Sequence, residues 1–317
     1  DAIFKSIHAI IEKHEILRTV FLEKYGRPYQ YVKDSLRIDI PLIDLRHLNR
    51  SGGEREIKTI LDRYARFNFN LSTGPLIKVC LICQAVNRYI LCINIHHIIT
   101  DGWSMGILIK ELCEYYQSLF QETQVFLQEL PVQYTDYAIW QRKILTDELI
   151  AEQSIYWQQQ LKDCPDHITL STDFPRPDIA TYQGDHISTN ISDVLTEQLN
   201  ELARKHDATL FMVLIATFGI LLQRHSQQDD ICIGTVVAGR NRPELENMIG
   251  FFVNSLIIRQ KMTDNPLFSD LIKQTRETSL GAFAHQDLSF EALVDLLKPN
   301  RSLNYTPLFQ VALDRKS

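Results

Sequence analysis

Two apolar runs, residues 76–84 and 89–96, lie back to back with only a few residues between them. Runs this short and this apolar predict adjacent strands buried on both faces. A pattern with apolar residues at Met105, Leu108, Ile109, Leu112 and Tyr116 follows, which predicts a helix over about 103–120. Strand, strand, helix in that order commits this part of the chain to a layered α/β structure. The first run holds Cys80 and Cys83 as C-x-x-C, but strand residues three apart point to opposite faces, and no second Cys or His pair stands nearby at zinc spacing. The six cysteines therefore read as reduced core thiols of a cytoplasmic protein, and no metal is expected.

The 317 residues exceed one ordinary core, so two lobes are expected. Ile3, Ile7, Ile10 and Ile11 mark an opening helix ending near Glu15. Short strands are expected in LRTVFLEK and QYVKDSLRIDIPLI about a Gly26-Arg27-Pro28 turn, and a helix over 53–66. A helical segment over about 131–163 precedes STDFPRPDIATYQG at 171–184, whose prolines and glycine make it the best linker candidate. The expected domains are thus an N-terminal lobe, 1–172, and a C-terminal lobe, 173–317. In the latter, HISTNIS and DICIGTVVAG read as strands, with helices over 194–206 and 209–225. The glycines of GTVVAGRNRPE lack G-x-G-x-x-G spacing, so a phosphate cradle is excluded. A net charge of −6 gives no nucleic-acid surface, and the longest apolar run is shorter than a membrane span.

The chemistry concentrates in LCINIHHIITDGWS, residues 91–104. If the strand continued, Ile93, Ile95 and His97 would share one face and Asn94 and His96 the other, so one histidine alone could enter a given cleft. Histidine suits acid–base work because its side chain titrates near working pH, at about 6.5. Asp101 and Gly102 turn the chain into the next helix, where an aspartate caps backbone N–H groups or holds an arginine better than it carries protons. No G-x-S-x-G elbow accompanies these residues, and His-His on a strand splays its ligands apart. Catalysis and a satisfied core histidine stay evenly matched on the motif alone.

Five further blocks, in order, resemble those of the condensation domains of nonribosomal peptide synthetases. KHEILRTVF at 13–21 looks like R-H-E-x-L-R-T-x-F, and IHHIITDGWS at 95–104 matches the family's His-His-x3-Asp-Gly core. YTDYAIW at 134–140, IGFFVNSLIIR at 249–259, HQDLSFE at 285–291 and RSLNYTPLFQV at 301–311 complete the set. The resemblance implies two chloramphenicol acetyltransferase-like lobes forming a V around a central tunnel. It implies an acyltransferase that joins a donor aminoacyl or peptidyl thioester to an acceptor aminoacyl thioester. Both would arrive on the 4'-phosphopantetheine arms of carrier domains, with an adenylation domain adjacent and no cofactor held by the domain itself. His97 is then the catalytic residue, with His96 as a buried, hydrogen-bonded partner and Asp101, Gly102 and Arg18 as site supports. Trp103, Ser104, Asn254, Arg259, His285 and Gln286 are tunnel or structural candidates. For Arg259 a carboxylate partner and plain solvation are equally open, and for His285 and Gln286 a capping role competes with tunnel lining.

Departures from the pattern are Lys13 in place of arginine, Ser289 in place of proline, and Leu303-Asn304 in the last block. The family's first motif and the elements after PLFQV are not in the sequence, so an incomplete domain is expected. Met105 after Ser104 argues against epimerisation, the paired histidines argue against heterocyclisation, and no D-F-G-W-G marks a plant-type acyltransferase. GWSMGIL and LPVQYTDYAIWQR look most like domains taking an L-residue donor. The competing readings are an ester-forming or freestanding acyltransferase and a non-catalytic docking domain, which usually loses the second histidine.

Overall fold

The structure, a computed structural model, describes residues 2–121, 129–179, 181, 184–299 and 305–314. By contacts the chain forms two compact units, Asp1–Lys143 with Gly239–Phe252, and Ile144–Ala238 with Val253–Ser317. The division differs from the one expected at 172/173. The proline-rich stretch is exposed, but the helix Asp147–Gln160 before it already packs into the second core through Trp157. Nor could chain order reveal that 239–252 leaves the second unit and returns.

The first unit opens with α1 (Ala2–Lys13), a 3-10 turn (Glu15–Arg18) and the antiparallel pair β1 (Thr19–Lys24) and β2 (Arg27–Val32). The turn falls at Tyr25 and Gly26, both with positive φ, so Arg27 and Pro28 lie within β2 and not in the turn. Pro28 is tolerated in a two-stranded pair because each strand has a free edge. β3 (Leu42–Asp44) runs parallel to β4 (Ile77–Ala85), which pairs antiparallel with β5 (Arg88–Ile95). Helix α2 (Arg50–Ala65) precedes β4, α3 (Gly102–Gln121) follows β5, and α4 (Tyr134–Ile144) closes the series.

Alternation explains why both runs are mostly apolar. Ile77, Val79, Leu91, Ile93 and Ile95 join the core of α1 and α3, with Ile7, Ile10, Leu17, Leu108 and Leu112. Cys80, Ile82, Ile90 and Cys92 face Ile57, Ile60 and Tyr64 of α2. Period-two strands with apolar neighbours on both faces place apolar residues at most successive positions, Lys78 and Asn94 excepted.

The second unit contains α5 (Asp147–Gln160), α6 (Asp193–Lys205), α7 (Leu210–Ser226), the antiparallel pair β6 (Asp230–Val237) and β7 (Asn254–Lys261), α8 (Phe268–Ala284) and α9 (Phe290–Leu297). Ile231 and Ile233 pack with Val213, Ala216 and Ile272, while Cys232 packs with Trp157, Leu256 and Leu293 on the opposite face. A parallel bridge joins Gly234 to Ala312. The expected strand HISTNIS does not form: 186–192 carries no strand, and Ile187 is 98% exposed. Its alternation lacked a neighbouring strand, and a strand without a partner leaves its backbone groups to water. Among the described residues all six cysteines are free, and Cys113 is exposed, so it is not the core thiol expected. Among the described residues no single helix is long and apolar enough to cross a membrane; α6 and α7 pass only as a pair bent by 101°.

Candidate active site

β5 ends at Ile95, one residue before the paired histidines. His96 is the cap of a 3-10 turn, His97–Ile99, with φ −65° and ψ 133°, and its Nδ1 accepts from Ile98 N–H at 3.0 Å. His97 therefore does not continue the Ile93–Ile95 face, and His96 is a half-buried capping residue instead of a fully buried one. The reason is local: an accepting ring nitrogen offers the turn's free N–H a partner that the strand ladder does not. Thr100 N–H then donates to His97 O at 3.3 Å. The imidazole of His97 is exposed and meets the ring of Phe251 edge-on, centroids 5.3 Å apart.

Asp101 is 2% exposed and stands at the head of α3. Its Oδ1 accepts from Ser104 N–H at 2.8 Å and from the Arg240 guanidinium at 3.2 Å, and its Oδ2 accepts from Phe252 N–H at 3.1 Å. These donors occupy the carboxylate, so Asp101 is an anchor and not a proton shuttle. Gly102 follows as the first residue of α3 and is exposed. Ser104, fully buried, donates to Gly250 O at 2.9 Å and accepts from Gly250 N–H at 3.0 Å and Arg240 at 2.8 Å. That is the whole capacity of a hydroxyl. Trp103 is 48% exposed and donates to Glu246 O at 2.9 Å.

Arg240 ties these groups together. It donates to Leu245 O and to Met248 O, and lies over the ring of Phe252 at 4.1 Å. Burial pushes its pKa down, against the pull of Asp101, yet a guanidinium keeps its proton in a protein. Gly250 must be glycine: a Cβ there would lie 2.3 Å from the Tyr134 ring. Tyr134, whose phenol burial pushes up, donates to Phe251 O at 2.7 Å. The segment 239–252 is thus bolted to the start of α3, and Phe251 is held against His97.

Arg18, expected as a support of this centre, uses its guanidinium on Lys33 O and Glu15. The arginine at Asp101 is Arg240, which sequence reasoning missed because 139 positions separate them. The one available signal was an arginine directly after a glycine at the end of an apolar strand.

The block containing Lys13 is buried against α3. Lys13 Nζ lies 2.5 Å from Glu111 Oε1, and His14 Nε2 lies 2.9 Å from Oε2. Burial pushes the Glu111 carboxyl up, but the hydrogen bonds from His14 and Lys13 and the charge of Lys13 outweigh it and leave its pKa lowered. A carboxyl lowered on folding stabilises the protein above its ordinary pKa, 4.5, and the contribution disappears as pH falls through the folded value. The gap in melting temperature between wild type and Glu111→Gln is expected to be constant near neutral pH and to close below that of a free carboxyl.

The remaining candidates lie in the second unit and bond to backbone. Asn254 donates to Gln286 O and Leu288 O, each at 2.8 Å, and accepts from Phe290 N–H at 3.1 Å. Arg259, 5% exposed, forks onto Asp230 at 2.8 and 2.6 Å and donates to Gln160 O, Lys162 O and Asp163 O. All five donors are used, so Arg259→Lys is expected to lower unfolding free energy by about 2–4 kcal/mol, measured by denaturant titration. His285 caps the end of α8, donating to Gly281 O through Nδ1–H at 2.8 Å and stacking on Tyr156 at 3.9 Å. Gln286 donates to Phe283 O at 2.8 Å. Ser289 caps α9 through Ala292 N–H, which gives the serine in place of proline a purpose. Of the last sequence block, residues 301–304 lie outside the described residues. Among the described residues no group of three His, Cys, Asp or Glu side chains could hold a metal ion.

Comparison with known proteins identifies the family and the fold. The sequence model for the family described as Condensation domain matches residues 1–317. A linear gramicidin synthase polypeptide of Brevibacillus parabrevis is 44% identical over 306 residues, 96% of this chain but 6% of that polypeptide. The X-domain from teicoplanin biosynthesis superposes with a TM-score of 0.88 at 24% identity, covering 98% of this chain and 69% of that one. Holo-AB3403, a four-domain nonribosomal peptide synthetase bound to AMP and glycine, gives 0.86 at 23% identity, over 98% of this chain and 23% of that one. These structures establish the fold, the chloramphenicol acetyltransferase-like one of condensation domains. With the family match running the length of the sequence, this chain belongs to the condensation domains of nonribosomal peptide synthetases, acyltransferases that in general form peptide bonds.

Proposed function

We propose that this chain joins a donor aminoacyl or peptidyl thioester to an acceptor aminoacyl thioester, both carried on phosphopantetheine arms of partner carrier domains, at His97. The observation that carries the reading is a division of labour. The side chains of Asp101, Ser104 and Arg240 are buried and bond to one another and to backbone, while His97 beside them is exposed. The acceptor amine attacks the thioester carbonyl carbon, the C–N bond forms, the C–S bond breaks, and the donor arm leaves as thiol. His97 accepts a hydrogen bond from the attacking amine. A thioester is already activated, so alignment of two tethered reactants supplies most of what the reaction needs. The domain holds no cofactor of its own in this scheme, and the donor ends in an L-residue.

A docking role has one observation in its favour, since the X-domain from teicoplanin biosynthesis is known in complex with OxyB. The retained and exposed His97 favours catalysis. The test offers the protein acceptor-loaded carrier with donors ending in either an L- or a D-residue and weighs both carriers intact. Dipeptide mass on the acceptor carrier, from the L-donor, supports the proposal. Product on a free alcohol, or no transfer from either donor, overturns it.

A further inference from the structure

A second buried group meets the segment that carries Phe251. His14 is 1% exposed and stands between α3 and the backbone of Ile249. Its Nε2 faces Glu111 Oε2 at 2.9 Å, and Ile249 N–H donates to its Nδ1 at 3.4 Å. A ring nitrogen that accepts carries no proton, and a carboxylate only accepts, so the two contacts together admit one tautomer: proton on Nε2, lone pair on Nδ1. Lys13, on the other carboxylate oxygen, keeps Glu111 ionised and in place.

We propose that Glu111 sets the tautomer of His14, and that His14 thereby acts as a positioning residue for Ile249, Gly250 and Phe251 beside His97. If the ring turned its proton to Nδ1, that N–H would face the N–H of Ile249. The segment would then lose one of its buried fastenings and gain a repulsion. The catalytic consequence rests on the acyl-transfer reading of His97; the tautomer does not.

Long-range proton–nitrogen NMR on histidine-labelled protein reads the tautomer directly. The wild type is expected to carry the His14 proton on Nε2 alone near neutral pH. In Glu111→Gln the amide can turn its NH2 toward the ring, and an Nδ1–H form is expected to appear. Single-turnover transfer by that variant is expected to fall about tenfold, the scale of one buried hydrogen bond, with the half-saturating carrier concentration unchanged. His14→Asn, whose side-chain oxygen can stand near the position of Nδ1, is expected to transfer faster than His14→Leu. A wild-type His14 protonated on Nδ1, or Glu111→Gln with tautomer and rate both unchanged, overturns the proposal. An active His97→Ala with the expected tautomer overturns the acyl-transfer reading and leaves the tautomer assignment standing.

Discussion

Asp101→Ala is expected to lower the unfolding free energy by about 3–5 kcal/mol, the cost of leaving a buried charge without its partner. The stranded partner is Arg240, whose side chain is 2% exposed and whose other bonds go to backbone carbonyls and Ser104. The same change removes the acceptor for Ser104 N–H at the head of α3 and for Phe252 N–H. Denaturant titration measures the loss, and transfer activity is expected to fall with it because one fastening of the segment that holds Phe251 against His97 is lost. Asp101→Asn separates charge from shape: it keeps an acceptor for one N–H and is expected to lose less than alanine. Equal stability in wild type and Asp101→Ala would remove Asp101 from the role of anchor.

Gly239→Ala is expected to have an effect of similar size. Gly239 has φ +63°, where an added Cβ is strained, and that Cβ would lie 2.0 Å from Phe252 O. Overpacking of this kind costs about 1–3 kcal/mol, and the left-handed backbone adds about 1–2 kcal/mol. The obstructing atom is backbone, so no side chain can swing aside. Gly106→Ala is the matching control. Nothing lies within 4 Å of its Cβ, it sits inside α3, and the variant is expected to gain about 0.5–1 kcal/mol. Thermal unfolding of the two variants should therefore shift in opposite directions.

Elements with strong periodicity were legible from residues alone. The strands expected at 76–84 and 89–96 form as Ile77–Ala85 and Arg88–Ile95, and the helix expected over 103–120 forms as Gly102–Gln121. Apolar cover on both faces writes a mostly apolar run, with most of β4 buried and β5 half-buried over Ile90–Ile95. The segment 131–163 read as one helical stretch but contains two helices, broken before the Thr146 cap of α5. A side-chain cap three residues from its N–H partner ends one helix and starts another without altering composition. HISTNIS misled because alternation describes a surface and not a partner.

At the site, the motif residues were legible and their supports were not. Asp101 was expected to cap a helix or hold an arginine, and it does both. The arginine was invisible because Arg240 reaches it through tertiary structure alone. His14 and Glu111 were equally hidden, 97 positions apart. The turn at His97–Ile99 was missed because two histidines after an apolar run look like more strand, until the ring of His96 is seen to cap the turn.

On the proposed reading, His97 serves the transfer while its neighbours hold it in place. Single-turnover transfer from loaded donor carrier to loaded acceptor carrier, followed by intact mass, compares wild type with His97→Ala. Dipeptide is expected on the wild-type acceptor carrier, with the variant at least about 100-fold slower, the scale of one positioned acid–base group, and with an unchanged melting temperature. Equal transfer rates in the two proteins would remove His97 from the transfer.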